Sequence, residues 1–201
     1  MQNEKRYSSP LCAGYWKEAG TSLRSVRILV VAALCAALST LFNFFFMVPV
    51  GENLNIMFQF LPNAIMGMIC GPWVAVLYGV ATDFLDFMLH GWGFFPGYTL
   101  GSVLGAMIYA LFLYRSRVTV LRLFLARLSV NVIVNILLGS LWSAILYGKA
   151  YYVYLSASVF KNLILLPLET LILVVVYRML MVSLVQMGLI PEQPSRRVAL
   201  V

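Results

Sequence analysis

Charge is what this sequence has least of. Asp, Glu, Lys and Arg make up 10% of its 201 residues, where a soluble domain carries about 25%. That deficit excludes a soluble globular domain and leaves no room for a separate soluble catalytic one. Histidine is nearly absent: His90 stands alone, so neither an HExxH zinc site nor a multi-histidine site can be built, and no metal is expected. The three cysteines, Cys12, Cys35 and Cys70, are odd in number and scattered, which rules out a disulfide framework. Cys35 and Cys70 lie in apolar runs and act there as small apolar residues. The sequence has no Gly-x-x-x-x-Gly-Lys-Ser/Thr loop, and Gly148-Lys149-Ala150 is not one, so the chain cannot hydrolyse ATP itself. No Ser or Cys stands beside a plausible base, so no catalytic residue and no cofactor are expected.

Apolar residues are abundant, at 62%. They form long runs without alternation, which selects membrane helices over a β-barrel. The expected fold is therefore an all-α membrane protein. Its first span runs from about Val26 to Phe46, close to the ~20 residues a bilayer needs. A second, short apolar run covers about Phe58 to Ile69, with Pro62 and Asn63 inside it. Gly71-Pro72 turns the chain into a third span, about Trp73 to Leu89, and further spans follow at about Gly97–Tyr114, Leu123–Tyr147 and Ser156–Val182. Pro167 should kink the last of these. Short or Pro-interrupted spans point to a binding site, because they expose backbone groups to a cavity. The domain reading is a polar tail at 1–23 with an interfacial stretch around Tyr15–Trp16, a six-helix membrane domain at 24–185, and a C-terminal tail at 186–201. The first apolar run is too long for a cleaved signal and lacks a small-residue cleavage site.

Six spans put both termini on one side. Lys17, Arg24, Arg27, Arg115, Arg117, Arg122, Arg178, Arg196 and Arg197 all fall on the termini's face, whereas Glu52, Asp86, His90 and Lys149 fall on the other. Positive charge marks the cytoplasm, so the termini are expected there. The loops at 47–57, 92–99 and 147–155 then lie outside.

Trp92-Gly-Phe-Phe-Pro-Gly-Tyr-Thr99 is a turn packed with aromatics, where Pro96 and Gly97 break the backbone. It reads either as an interfacial aromatic belt or as a mouth that offers ring faces and the Tyr98 and Thr99 hydroxyls to a small flat molecule. Gly101 and Gly105 follow four apart and let that helix approach a neighbour. In the fifth span Arg127, Asn131, Asn135 and Trp142 share one helical face, which should look into the bundle. Arg127, near the cytoplasmic end, can instead snorkel to the headgroups. In the sixth, Lys161 stands beside Asn162, and Asn162 and Glu169 share a face. Asp83 and Asp86 lie three apart in the third span: helix-end acids in the interface, partners for a basic residue, or ligand contacts. Phe95, Pro96, Gly97, Tyr98, Asn131, Asn135, Trp142, Tyr147, Lys149, Tyr151, Lys161 and Asn162 are thus the candidate substrate-binding residues. Rings suit a conjugated ligand, amides read its hydrogen-bonding edge, and ammonium groups suit a carboxylate. The ligand that fits is flat, heteroaromatic and anionic at one end.

Ala32, Ala33, Ala36 and Ala37 form two small-xxx-small pairs in the first span. Their spacing fits packing in the chain's own bundle or docking onto another membrane subunit.

Several short stretches, taken in order, resemble the substrate-binding S components of energy-coupling factor (ECF) vitamin transporters, most closely the folate-specific FolT-type family. They are Ala-Leu-Cys-Ala-Ala-Leu-Ser in the first span, Phe60-Leu61-Pro62, Gly71-Pro72, Phe95-Pro96-Gly97-Tyr98-Thr99 and Leu113-Tyr114-Arg115. Leu141-Trp142 through Tyr147-Gly148-Lys149-Ala150, Lys161-Asn162-Leu163 and Pro167-Leu168-Glu169 complete the set, so that the resemblance spans about residues 26–182. It implies an S-component-like bundle of six helices that binds folate near the outer side. It also implies partners: a transmembrane coupling (T) subunit and two cytoplasmic ATPases. The loop after the first span, with Pro49, Gly51 and Asn55, would gate the ligand, and the alanine face, Ala33 and Ala37 above all, would dock the coupling subunit. Family members often carry a basic residue where this chain has Asn55; either Lys149 or Lys161 compensates, or the preferred folate differs. An S component for thiamin or riboflavin, and a proton-coupled carrier using Asp83, Asp86 and Glu169, are the alternatives.

Overall fold

The computed structural model describes residues 13–46, 48–51, 54–90, 94–148 and 150–191. The chain begins with α1 (Ala13–Ser22) and α2 (Val26–Phe46), passes through a small hairpin, β1 (Val48–Gly51) and β2 (Leu54–Ile56), and continues into α3 (Phe60–Cys70), α4 (Pro72–His90) and α5 (Pro96–Leu113). Then α6 (Val120–Val130), a π-helical segment (Asn131–Leu138) and α7 (Gly139–Tyr147) run on as one rod, and α8 (Tyr151–Gln186) closes the bundle.

Among the described residues, five helices are long and apolar enough to cross a membrane: Val26–Phe46, Pro72–Leu89, Pro96–Leu113, Val120–Tyr147 and Tyr151–Gln186. The sixth expected span, α3, has 11 residues, about 17 Å at 1.5 Å per residue and so well short of a ~30 Å hydrocarbon core. Large apolar side chains such as Leu34, Phe45, Phe160, Ile164 and Met179 are exposed, as expected of surfaces solvated by lipid rather than water.

Polar contacts define the two ends of the bundle. At one end Asn43 Nδ2 donates to Asp86 Oδ2 (2.8 Å) and Thr99 Oγ1 to Asp83 Oδ2 (2.6 Å), and the rings of Phe87 and Phe94 meet edge to face. The C-terminal ends of α2 and α4 and the start of α5 therefore gather there. At the other end Tyr15 Oη donates to the Ala110 carbonyl, Glu18 pairs with Arg115, and Arg27 donates to the Met187 carbonyl. The first and last described helices thus finish at the same end. The two acids of α4 serve as acceptors between helices, taking hydrogens from an amide on α2 and a hydroxyl on α5 rather than the expected basic side chain.

Helix α5 is central, packed against α3, α4 and α6. Its tightest neighbours are glycines on other helices. A Cβ on Gly79 would stand 2.6 Å from Val103 Cα, and one on Gly67 would stand 2.8 Å from the Ala110 amide nitrogen. Gly101 and Gly105, the pair the sequence singles out, face Val134 and Val130 at ordinary contact distances of 3.5 and 4.0 Å. The closest approaches to α5 therefore use Gly67 and Gly79 rather than the Gly101–Gly105 pair.

Two sequence expectations change. Within the stretch expected as an irregular loop, residues 48–51 and 54–56 form a hairpin: β1 and β2 pair antiparallel, Val48 with Ile56 and Pro49 with Asn55. Residues 13–22 are not a free tail: α1 packs onto the body, with Tyr15 and Ala19 fully buried and Tyr15 edge-on to Tyr114. The periodicity is hard to see because its inward face, Tyr15, Ala19 and Ser22, mixes aromatic, small and polar residues. Helix α8 runs on through Pro167, which membrane bundles tolerate because neighbouring groups re-satisfy the freed backbone.

Candidate functional site

The aromatic turn and the α6–α7 rod meet. Phe95 lies 5.5 Å from Trp142 and 5.7 Å from Tyr98, both edge to face. Gly97 sits between them: a Cβ there would fall 2.3 Å from the Phe95 ring and 2.7 Å from the Trp142 ring. A side chain at 97 would prise the cluster apart, so the glycine is required by space. Pro96 opens α5 at its first turn, a position where the missing N–H is not needed. The Trp142 Nε1–H is buried and has no hydrogen-bond partner among the described residues, a donor without an acceptor inside a ring cluster.

Below the rings, about two turns along the rod, lies a polar ladder. Arg127 grips Glu169 with two arms, Nε to Oε2 at 2.7 Å and Nη2 to Oε1 at 2.6 Å. Its Nη1 donates to Tyr109 Oη, and its guanidinium stacks 4.5 Å over the Phe60 ring. Arg127 is 5% exposed, so it turns into the bundle and does not snorkel; the acid on α8 outcompetes the headgroups. Asn131 Nδ2 donates to Glu169 Oε2 (3.1 Å). Asn135 Nδ2 donates to Asn131 Oδ1 (2.8 Å) and to Asn162 Oδ1 (3.4 Å). Asn162 Nδ2 in turn donates to the Ser158 carbonyl (2.8 Å). Asn131 and Asn162 are buried, while Asn135 is half-buried. Both Asn131 and Asn135 lie in the π segment, and such local widening of a helix is frequent at functional sites. Nothing in the sequence marks a π register.

The other candidate residues are distributed more loosely. Tyr151 is half-buried and lies edge to face with the exposed Tyr152, and Tyr147 is exposed. Lys161 is half-buried on α8, within electrostatic range of Glu169 and Arg127. Lys149 and Trp92 lie outside the described residues, and of Pro49, Gly51 and Asn55 the backbone alone is described, in the hairpin. Thr99, read as a hydroxyl for a ligand, gives its hydrogen to Asp83. The alanines of α2 divide: Ala32 and Ala36 are buried in the bundle, whereas Ala33 and Ala37 face outward. Tyr109, Phe60 and Ser158 complete the ladder and were not legible as site residues, since each reads as ordinary apolar or helix-surface composition.

A bundle of this kind, with buried amides and clustered rings near one end, is the framework of a membrane solute-binding subunit. Residues 27–177 match the family described as ECF transporter, substrate-specific component, and the chain belongs to that family. It is a multi-pass membrane transport subunit, not an enzyme. Among its relatives, the folate transporter FolT of Clostridium novyi is 32% identical over 158 residues, covering 78% of this chain and 91% of that protein. The folate transporter FolT of Leuconostoc mesenteroides is 28% identical over 128 residues, or 60% of this chain and 69% of that one. A crystal structure of FolT bound with folic acid superposes with a TM-score of 0.68 at 29% identity, covering 74% of this chain and 91% of the other.

Proposed function

We propose that this chain is the folate-binding S component of an ECF importer. The observation that carries the reading is the joining of the Phe95–Tyr98–Trp142 ring cluster to the half-buried Asn135 amide on one rod. Rings hold a flat heteroaromatic body, and amides pair with its polar edge. The similarity to FolT of two bacteria and to FolT bound with folic acid supports folate as that ligand. Phe95, Pro96, Gly97, Tyr98, Asn131, Asn135, Trp142, Tyr147, Tyr151 and Asn162 build the cup or support it. Lys149 and Lys161 serve the ligand's carboxylates, and the 48–56 hairpin, which leaves the bundle at the ring-cluster end, is the gate.

In this reading α3 counts as a sixth, short crossing. The end that carries Arg27, Arg115, Arg117 and Arg122 is cytoplasmic by the positive-inside rule, so the cup opens outward. Ala33 and Ala37 dock a membrane coupling subunit, and two ATPases beneath it supply the energy.

The test is a titration of purified protein, without nucleotide, against a panel of folate, thiamin and riboflavin. Stoichiometric one-to-one binding of folate alone is expected. Binding of thiamin or riboflavin in its place would move the chain to another vitamin, and uptake in vesicles by the chain alone would favour a proton-coupled carrier.

A further inference from the structure

The amide ladder has a direction, and the direction is set by chemistry rather than by choice of rotamer. Both oxygens of the Glu169 carboxylate accept from the arms of Arg127, and a carboxylate has no hydrogen to give. Asn131 must therefore turn Nδ2 toward it, which leaves Asn131 Oδ1 to face Asn135. From α8 a second acceptor-only group dictates the same sense. The Ser158 carbonyl takes Asn162 Nδ2, so Asn162 presents Oδ1 to Asn135. Asn135 Nδ2 carries two hydrogens and spends one on each neighbour. Its Oδ1 is then the polar atom it has left, and the residue is only half-buried.

We infer that Glu169, clamped by Arg127, is a positioning residue for ligand selectivity: through Asn131 it fixes Asn135 with its carbonyl oxygen toward the cup, so that the site selects a ring whose facing edge carries N–H donors. This rests on the proposed reading that the cup holds a flat heteroaromatic ring. A 2-amino-4-oxopteridine ring has such an edge, with its amino group and adjacent ring N–H. A ring that turns an acceptor to Asn135 Oδ1 meets lone pair against lone pair and is rejected.

The experiment compares folic acid with its analogue in which a methyl group replaces the 2-amino group, both titrated into the purified full-length protein. Wild type should prefer folic acid by up to about tenfold, because the analogue keeps the ring N–H but loses the amino donor, the net worth of one hydrogen bond. Asn131→Leu removes the shorter of the two hydrogen bonds that hold Asn135, leaving only the 3.4 Å one to Asn162 together with both Arg127–Glu169 bonds, and should shrink the preference to about twofold or less. Asn131→Thr, smaller and still polar, should do the same and serves if the leucine variant does not fold. A general loss of packing would weaken both ligands in proportion and keep their ratio, so the ratio is the informative readout. A folded Asn131 variant that keeps the wild-type ratio overturns the inference, as does a wild-type protein that binds both ligands equally. If wild type binds neither ligand, the folate reading itself falls.

Discussion

Arg127 and Glu169 are joined by two charge-assisted hydrogen bonds of 2.7 and 2.6 Å, with both side chains almost wholly buried between membrane helices. Such a pair gains little net stability when formed, because desolvation offsets its attraction, but removing one partner strands a charge. Arg127→Met is therefore expected to destabilise the bundle by about 3–5 kcal/mol. The double variant Arg127→Met/Glu169→Leu should recover most of that loss. Thermal unfolding of the detergent-solubilised protein measures both. A double variant as unstable as the single one would show that the pair contributes more than mutual neutralisation.

Contact between α4 and α5 makes a second prediction. Gly79 lies against the Val103 backbone, where a methyl group would stand 2.6 Å from Cα and 2.7 Å from the amide nitrogen. Backbone cannot move aside as a side-chain tip can. Gly79→Ala should cost about 1–3 kcal/mol, the usual penalty of overpacking. Gly105→Ala, whose new methyl would find its nearest neighbours at 4.0 Å, should be close to neutral. Parallel melting curves of the two variants check this, and equal losses would refute the assignment of the close contact to Gly79.

These glycines also show what the sequence could and could not reveal. The span limits of α2, α4 and α5 were legible to within a residue or two, because long apolar runs bounded by Gly and Pro leave few alternatives. The shared face of Arg127, Asn131, Asn135 and Trp142 was legible for the same reason: polar residues on a membrane helix must look inward. Their partners were not. Periodicity places a residue on a face but cannot say which helix stands opposite, so Arg127 read equally well as a snorkelling residue until Glu169 and Tyr109 were in place. The hairpin at 48–56 and the docking of α1 escaped because both depend on pairing across the chain, with only local and mixed composition to announce them.

A third prediction concerns the ring cluster. Trp142 is held edge-on by Phe95 and keeps its indole N–H without a partner among the described residues. As a stacking wall for a flat ligand it should contribute about 1–3 kcal/mol, by analogy with base–aromatic stacking. Trp142→Ala is then expected to weaken folate binding by roughly tenfold to a hundredfold, with a smaller effect on the melting temperature of the ligand-free protein. Trp142→Phe should retain part of the stacking and lose the donor. Isothermal titration of the three proteins gives the comparison, and unchanged affinity in Trp142→Ala would remove that ring from the cup.

The alanines of α2 separate fold from partnership. Ala32 is 7% exposed and Ala36 6%, so both belong to the chain's own core, one residue around the helix from Ala33 and Ala37, which face outward. The two pairs share a spacing of four and differ only in phase, so sequence alone could not assign them different roles. A leucine at 32 has to displace neighbouring helices, and Ala32→Leu should lower the melting temperature, as overpacked cores do. Ala33 is exposed on the outer side of α2, so Ala33→Leu should leave stability and folate affinity near wild type. It should nevertheless abolish folate uptake once the coupling subunit and ATPases are present, because added bulk on a small-residue face blocks close helix approach. Reconstituted vesicles supplied with ATP, assayed beside binding to the isolated subunit, separate the two effects. Full uptake by Ala33→Leu would place the docking surface elsewhere on the bundle.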